Sequence, residues 1–364
     1  MDKQRIKVAI TQGDVNGIGY EVILKVFSDP QMLELCTPVI FGSPKIAAYH
    51  SKTLGINTNF SIVQSATHAN RNVLSLVNCN EGEVKVELGK QDEKAGKAAL
   101  EAIDMAIEAY KKGEVDAIVT APVNKKNIQP FVSNFSGHTE YIQEKTEENA
   151  TPLMLMINEN IKIAIVTTHI PLAKVAENIS SELIVEKLEI LSDALKKDFG
   201  ISRPRIAVLG LNPHCGENGT LGDEEQRIII PAIKEAESRG VICYGPFPAD
   251  GFFGSENYIH FDAVLAMYHD QGMIPFKALA MEDGVNYTAG LEIVRTSPAH
   301  GTAFDIAGKG VASEASMRNA IYTAIDIVAR RKMQGELTRN VLRKQYYNTK
   351  DDSDKLKLDT IDAE

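Results

Sequence analysis

The chain has 364 residues, 44% hydrophobic and 24% charged, which is ordinary for a globular protein and long enough that two domains are expected. Its net charge of -10 argues against nonspecific nucleic-acid binding as the main task, because phosphate contacts need a basic face. No apolar run approaches the ~20 residues that cross a bilayer. The four cysteines form no CxxC pair, and the opening MDKQRIKVAI lacks the apolar stretch of a secretory signal, so reduced thiols and a cytoplasmic location are expected.

Strand-like and helix-like runs alternate along most of the chain. KVAIT leads through the turn GDVNGIG to the helical pattern YEVILKVF, and PVIFG then leads to PKIAAYHSKTL. Residues 57–90 read as strands and loops, with short alternating runs such as KVEL. The periodicity of 93–112 predicts a helix stopped at Gly113, and DAIVTAP follows as a strand. Further strands end at His169, His214 and His269, with helices near 181–198 and 223–239 between them. EASMRNAIYTAIDIVARRK is a late helix, and 351–364 form a charged tail. Such alternation specifies an α/β fold with parallel strands. The expected division is 1–130 plus 297–350 as one α/β domain and 131–296 as a second, which carries the metal and substrate residues.

KIAIVTTH, RIAVLGLNPH and AVLAMYHD each close an apolar run with a histidine. Carboxyl ends of parallel strands share one edge, where ligands bind, so His169, His214 and His269 are candidates for one divalent metal site. A single histidine after a strand is more often a structural residue; three on one pattern favour a shared site. In SGHTEY, Thr139 reads alone as a helix N-cap, yet with His138 it offers groups for a phosphate or a substrate oxygen. Lys277, Asn286 and Arg295 would complete an anion pocket, although single cations are also common on surfaces. Asp250 is a candidate acid–base carboxylate. LNPHCGENGTLGDEE makes Gly216, Asn218 and Gly219 candidates for holding a cofactor pyrophosphate, against the plainer reading of a strand-to-helix loop. After Gly17 and Gly19 of GDVNGIG, Val22 stands where GxGxxG needs its last glycine, and GxxxxGK[ST] is absent, so neither usual nucleotide fingerprint is present.

TAPVNK, SGHTE, TTHIPL, GLNPHCGENG, AMYHDQG and GVNYTAGLEIVRTSPAHGTA occur in this order. Together they resemble the 4-hydroxythreonine-4-phosphate dehydrogenase family of pyridoxal 5'-phosphate biosynthesis. The resemblance implies a two-domain α/β/α architecture, similar to isocitrate and isopropylmalate dehydrogenases, that binds NAD or NADP without the glycine fingerprint. It implies His169, His214 and His269 as ligands of Zn, Mg, Co or Mn. It also implies His138, Thr139, Lys277, Asn286 and Arg295 as substrate residues, and homodimers with shared active sites.

The reaction implied is oxidation of 4-phosphooxy-L-threonine to 2-amino-3-oxo-4-phosphooxybutanoate, which decarboxylates to 3-amino-2-oxopropyl phosphate. Dehydrogenation of phosphorylated threonate or erythronate is the near alternative. A phosphate-ester binding or acyl-transfer protein on the same fold is the alternative of another class.

Overall fold

The computed structural model describes residues 5–79, 82, 84–133 and 135–339; the expected charged tail, 351–364, lies outside them. Twelve strands alternate with helices: β1 (Lys7–Thr11), β2 (Thr37–Gly42), β3 (Phe60–Val63), β4 (Leu74–Asn78), β5 (Ala117–Thr120), β6 (Leu153–Ile157), β7 (Lys162–Thr167), β8 (Ile206–Leu209), β9 (Cys243–Phe247), β10 (Ala263–Tyr268), β11 (Val285–Ala289) and β12 (Val294–Pro298). The longer helices are α1 (Gly19–Phe27), α2 (Pro44–Leu54), α3 (Glu93–Lys111), α4 (His138–Thr146), α5 (Ser181–Lys197), α6 (Ile230–Ser238), α7 (His269–Ala280) and α8 (Ala315–Thr338).

Local chemistry sets several helix boundaries. The Asp92 side chain accepts the Lys94 amide at the start of α3, and Ser180 accepts the Leu183 amide at the start of α5. Ser43 and Pro44 open α2, and Gly55, at φ 65°, closes it in the left-handed region.

All twelve strands form one sheet in the order β3-β4-β2-β1-β5-β12-β11-β6-β7-β10-β8-β9. The first half is parallel throughout, and so are β7, β10, β8 and β9. The antiparallel pairs are β12–β11, β11–β6 and β6–β7 at the centre. Alternate residues of one strand enter different cores. Val8 and Ile10 pack with α1 and α8, whereas Ala9 packs with α3; Ala164 and Val166 pack with α5, whereas Ile163 and Ile165 pack with α7. Helices therefore cover both faces, and the fold is the α/β class expected from the sequence.

Three local expectations differ from the structure. KVEL forms no strand; Glu87 instead donates its amide to Asn16 Oδ1. The helix expected over 223–239 begins with a wide π-turn at Glu225–Ile229. The late helix continues to Thr338.

Candidate active site

At the middle of the sheet, a cavity of about 520 Å³ opens past the ends of β5, β7, β10 and β12. It collects His138, Thr139, His169, His269, Lys277, Asn286 and Arg295, all singled out by sequence. Its position follows from topology, since parallel strands bring their carboxyl ends to one edge.

Arg295, on β12, is 2% exposed. Among the described residues its guanidinium donates only to hydroxyls: Nε to Thr120 (3.2 Å), Nη1 to Thr139 (3.3 Å) and Thr288 (3.4 Å), and Nη2 to Thr120 (2.8 Å) and Ser297 (2.8 Å). Burial pushes its pKa down to about 10, with the Glu140 charge acting the other way. The group therefore stays cationic at neutral pH while bonded to no carboxylate, so an anionic ligand is its natural counter-charge.

His138 is the first residue of α4, after Gly137, so Thr139 is not the N-cap; its hydroxyl meets Thr288 (3.2 Å) and the guanidinium. Burial holds the His138 imidazole well below its ordinary pKa, and Arg295 and Lys125 add to this, so it is neutral. Its Nε2, Asn286 Oδ1 and His300 Nε2 are buried with no partner. Buried polar atoms are rarely left unsatisfied, so three at one cavity mark a place for a ligand. Lys277, on α7, lines the cavity as an exposed cation.

The three strand-end histidines do follow adjacent parallel strands, β7, β10 and β8. His169 and His269 come together, with ring centroids 6.3 Å apart. Each has its Nδ1 against a carboxylate, Glu140 at 3.1 Å and Asp270 at 2.7 Å. That arrangement fixes the tautomer and leaves both Nε2 atoms bare, the donor chemistry that suits a divalent ion. His214 stands apart: it is exposed, beyond the end of β8, and does not line the cavity. Among the described residues no three His, Cys, Asp or Glu side chains converge as a metal site.

The loop carrying His214 has an unusual course. Residues 214–219 all have positive φ, from 43° at Glu217 to 96° at Gly219. Buried Glu225 secures it from beneath, accepting the amides of Leu211 (2.8 Å) and Asn212 (2.7 Å) and the Asn212 side chain (3.0 Å). Gly216, Asn218 and Gly219 lie on this loop and outside the cavity lining, as does Asp250, which is exposed on the short helix Ala249–Gly254. The Asp250 carboxylate helps raise the Cys215 thiol, after burial and Glu225. One chain thus gathers its candidates into two groups.

Sequence reasoning missed Thr120, Glu140, Ser297 and His300. All lie within or beside quoted motifs, but their roles depend on which side chain meets which.

A family model for pyridoxal phosphate biosynthetic protein PdxA matches residues 34–324. The chain belongs to that family. A Bacteroides thetaiotaomicron relative, described as 4-hydroxythreonine-4-phosphate dehydrogenase, is 62% identical over 364 residues and covers 100% of both chains. A Sulfurihydrogenibium relative of the same description is 38% identical, covering 88% of this chain and 98% of its own. The 1.25 Å crystal structure of 4-hydroxythreonine-4-phosphate dehydrogenase from Klebsiella pneumoniae matches with a TM-score of 0.77 and 35% identity, over 90% of this chain and 99% of that one. The membership read from the ordered motifs is therefore borne out. No helix among the described residues is long and apolar enough to cross a membrane.

Proposed function

We propose that the chain is an NAD-dependent, metal-dependent dehydrogenase that oxidises the C3 hydroxyl of 4-phosphooxy-L-threonine. The product, 2-amino-3-oxo-4-phosphooxybutanoate, is a β-keto acid and loses carbon dioxide to give 3-amino-2-oxopropyl phosphate. The observation that carries this reading is the buried Arg295, bonded only to hydroxyls, in a cavity with three unsatisfied polar atoms. The descriptions of the relatives supply the reaction class.

In this reading Arg295 and Lys277 hold the substrate's anionic groups, phosphate and carboxylate. Thr120, Thr139, Thr288 and Ser297 fix the guanidinium plane, so little ordering remains for the bound state. His138 and Asn286 contact the substrate as neutral polar groups. Glu140 and Asp270 orient His169 and His269, which with His214 would hold the divalent ion. The ion, when bound, would supply Lewis acidity to the C3 oxygen as that carbon is oxidised. Gly216, Asn218 and Gly219 would hold the pyrophosphate of NAD, which would supply the hydride acceptor.

His214 lies outside the cavity, so the site is proposed to be composite in a homodimer. Exposed Ile274 (67%) and Met281 (59%), on and just after the helix that begins at His269 and carries Lys277, support a covering partner copy. Formation of NADH from 4-phosphooxy-L-threonine by the metal-loaded protein tests the reading. Turnover of phosphorylated threonate or erythronate alone would replace the substrate, and no NADH from any of them would favour phosphate-ester binding or acyl transfer.

A further inference from the structure

Two imidazoles line the cavity besides the strand-end pair, His138 and His300, and each buries an Nε2 without a partner. Their surroundings differ. Arg295 and Lys125 act on His138, whereas among the described residues burial alone keeps His300 neutral, opposed by its bond to the Gly301 carbonyl. That bond, 3.1 Å from Nδ1, decides the tautomer. A carbonyl oxygen can only accept, so Nδ1 carries the hydrogen and Nε2 presents a lone pair. Asn286 Oδ1 is a second unpartnered acceptor on the same cavity.

An ammonium group next to His138 would face two cations. Next to His300 it would meet the bare Nε2 of a neutral imidazole. We infer that His300 Nε2 accepts a hydrogen bond from the amino group of the substrate, making His300 a specificity-determining residue for an amino acid over the hydroxy acid of the same skeleton. The cavity then has a cationic part for phosphate and carboxylate and an acceptor part for ammonium. This inference rests on the substrate proposed above.

The test compares kcat/KM for 4-phosphooxy-L-threonine with that for the analogue bearing a hydroxyl in place of the amino group. It uses the metal-loaded wild type and the variants His300→Leu, His300→Asn and His300→Gln. The wild type should prefer the amino substrate. His300→Leu should lose about tenfold or more of that preference, the scale of one hydrogen bond to a charged group, through KM for the amino substrate alone. Should the leucine variant fail to fold, His300→Asn must show the same loss, because its shorter amide leaves the Nε2 position vacant. His300→Gln, which can place an oxygen near that position, should restore much of the preference. An unchanged preference in the leucine or asparagine variant overturns the inference, as does an equal loss for both substrates. A wild type active on neither substrate overturns the proposed function, and this inference with it.

Discussion

The wall around Arg295 and the loop at 212–222 hold the two groups of candidate residues, and their polar atoms are satisfied in opposite ways. At the wall, among the described residues, a buried guanidinium has no bonded carboxylate, and three buried polar atoms have no partner. In the loop, Glu225 satisfies the backbone from inside while His214, Asn218 and Gly219 face outward. The wall offers unpaired groups to a small ligand. The loop is held on its inner side by Glu225 and presents its candidate residues to the outside.

The largest effect that would sharpen this contrast is loss of the metal. Replacing His169, His269 or His214 with alanine should abolish turnover and reduce metal content measured by elemental analysis. Full activity after stripping with chelator would break the metal reading. Mixing an inactive His214 variant with an inactive His269 variant should restore part of the activity, if the loop serves a neighbouring copy.

Arg295→Ala should come next. It should weaken substrate binding by about 2–4 kcal/mol, the scale for losing one partner of a desolvated charged pair, with NAD affinity nearly unchanged. Calorimetric titration of both ligands checks this; equal losses would mean that the wall is not a separate anion site.

The loop should respond the other way. Glu225→Ala strips acceptors from buried donors and should cost about 1–3 kcal/mol of folding stability. Asn218→Gly removes a side chain without straining its φ of 57°, and should raise KM for NAD several-fold while leaving substrate KM alone. Gly219 is a poorer choice, because at φ 96° any side chain would strain the turn.

The smallest effect concerns pH. Burial lowers the pKa of His50, His138 and His300 below the ordinary 6.5. The unfolded chain therefore takes up these protons first as pH falls. The contribution is fully present above about 6.5 and is lost below it, towards the folded values. Thermal midpoints of the ligand-free protein should be level between about pH 7 and 8 and fall as pH drops below about 6.5. A flat midpoint across that window would show that these imidazoles are not sequestered.

Much of this architecture was legible in the sequence. Helices with local signals, such as Asp92 before α3 or Ser43-Pro44 and Gly55 around α2, begin and end where side-chain chemistry dictates. The strand-end histidines were readable because an apolar run that stops at a histidine needs no tertiary knowledge. β11 and β12 were not readable as strands. VNYTA alternates over only five residues, VRTSP carries three polar residues in a row, and Asn286, Arg295 and Ser297 face the cavity rather than water, with Thr288 bonded to Arg295. The separation of His214 from His169 and His269 was equally hidden, since it accompanies a left-handed run at 214–219 whose start is held by Glu225 bonds to Leu211 and Asn212 and whose turn is closed by the Gly219 and Leu221 amides on the Gly216 carbonyl. His300 carried no local signal, because an unsatisfied atom exists only once the cavity does.

The central position of β11 and β12 has a consequence for how the molecule is made. These two strands join the halves of the sheet, between β5 and β6, yet they are the last two synthesised. Until residues 285–298 leave the ribosome, β5 and β6 are open edges with their ladders unpaired on one side, the condition in which strands pair with the wrong partner. The helix that seals this junction, Ala315–Thr338, emerges later still. A nascent chain of this protein must therefore keep two sheet edges apart from the emergence of β6 until that of β11 and β12, and its yield should depend on chaperones that cover such edges more than its finished stability would suggest.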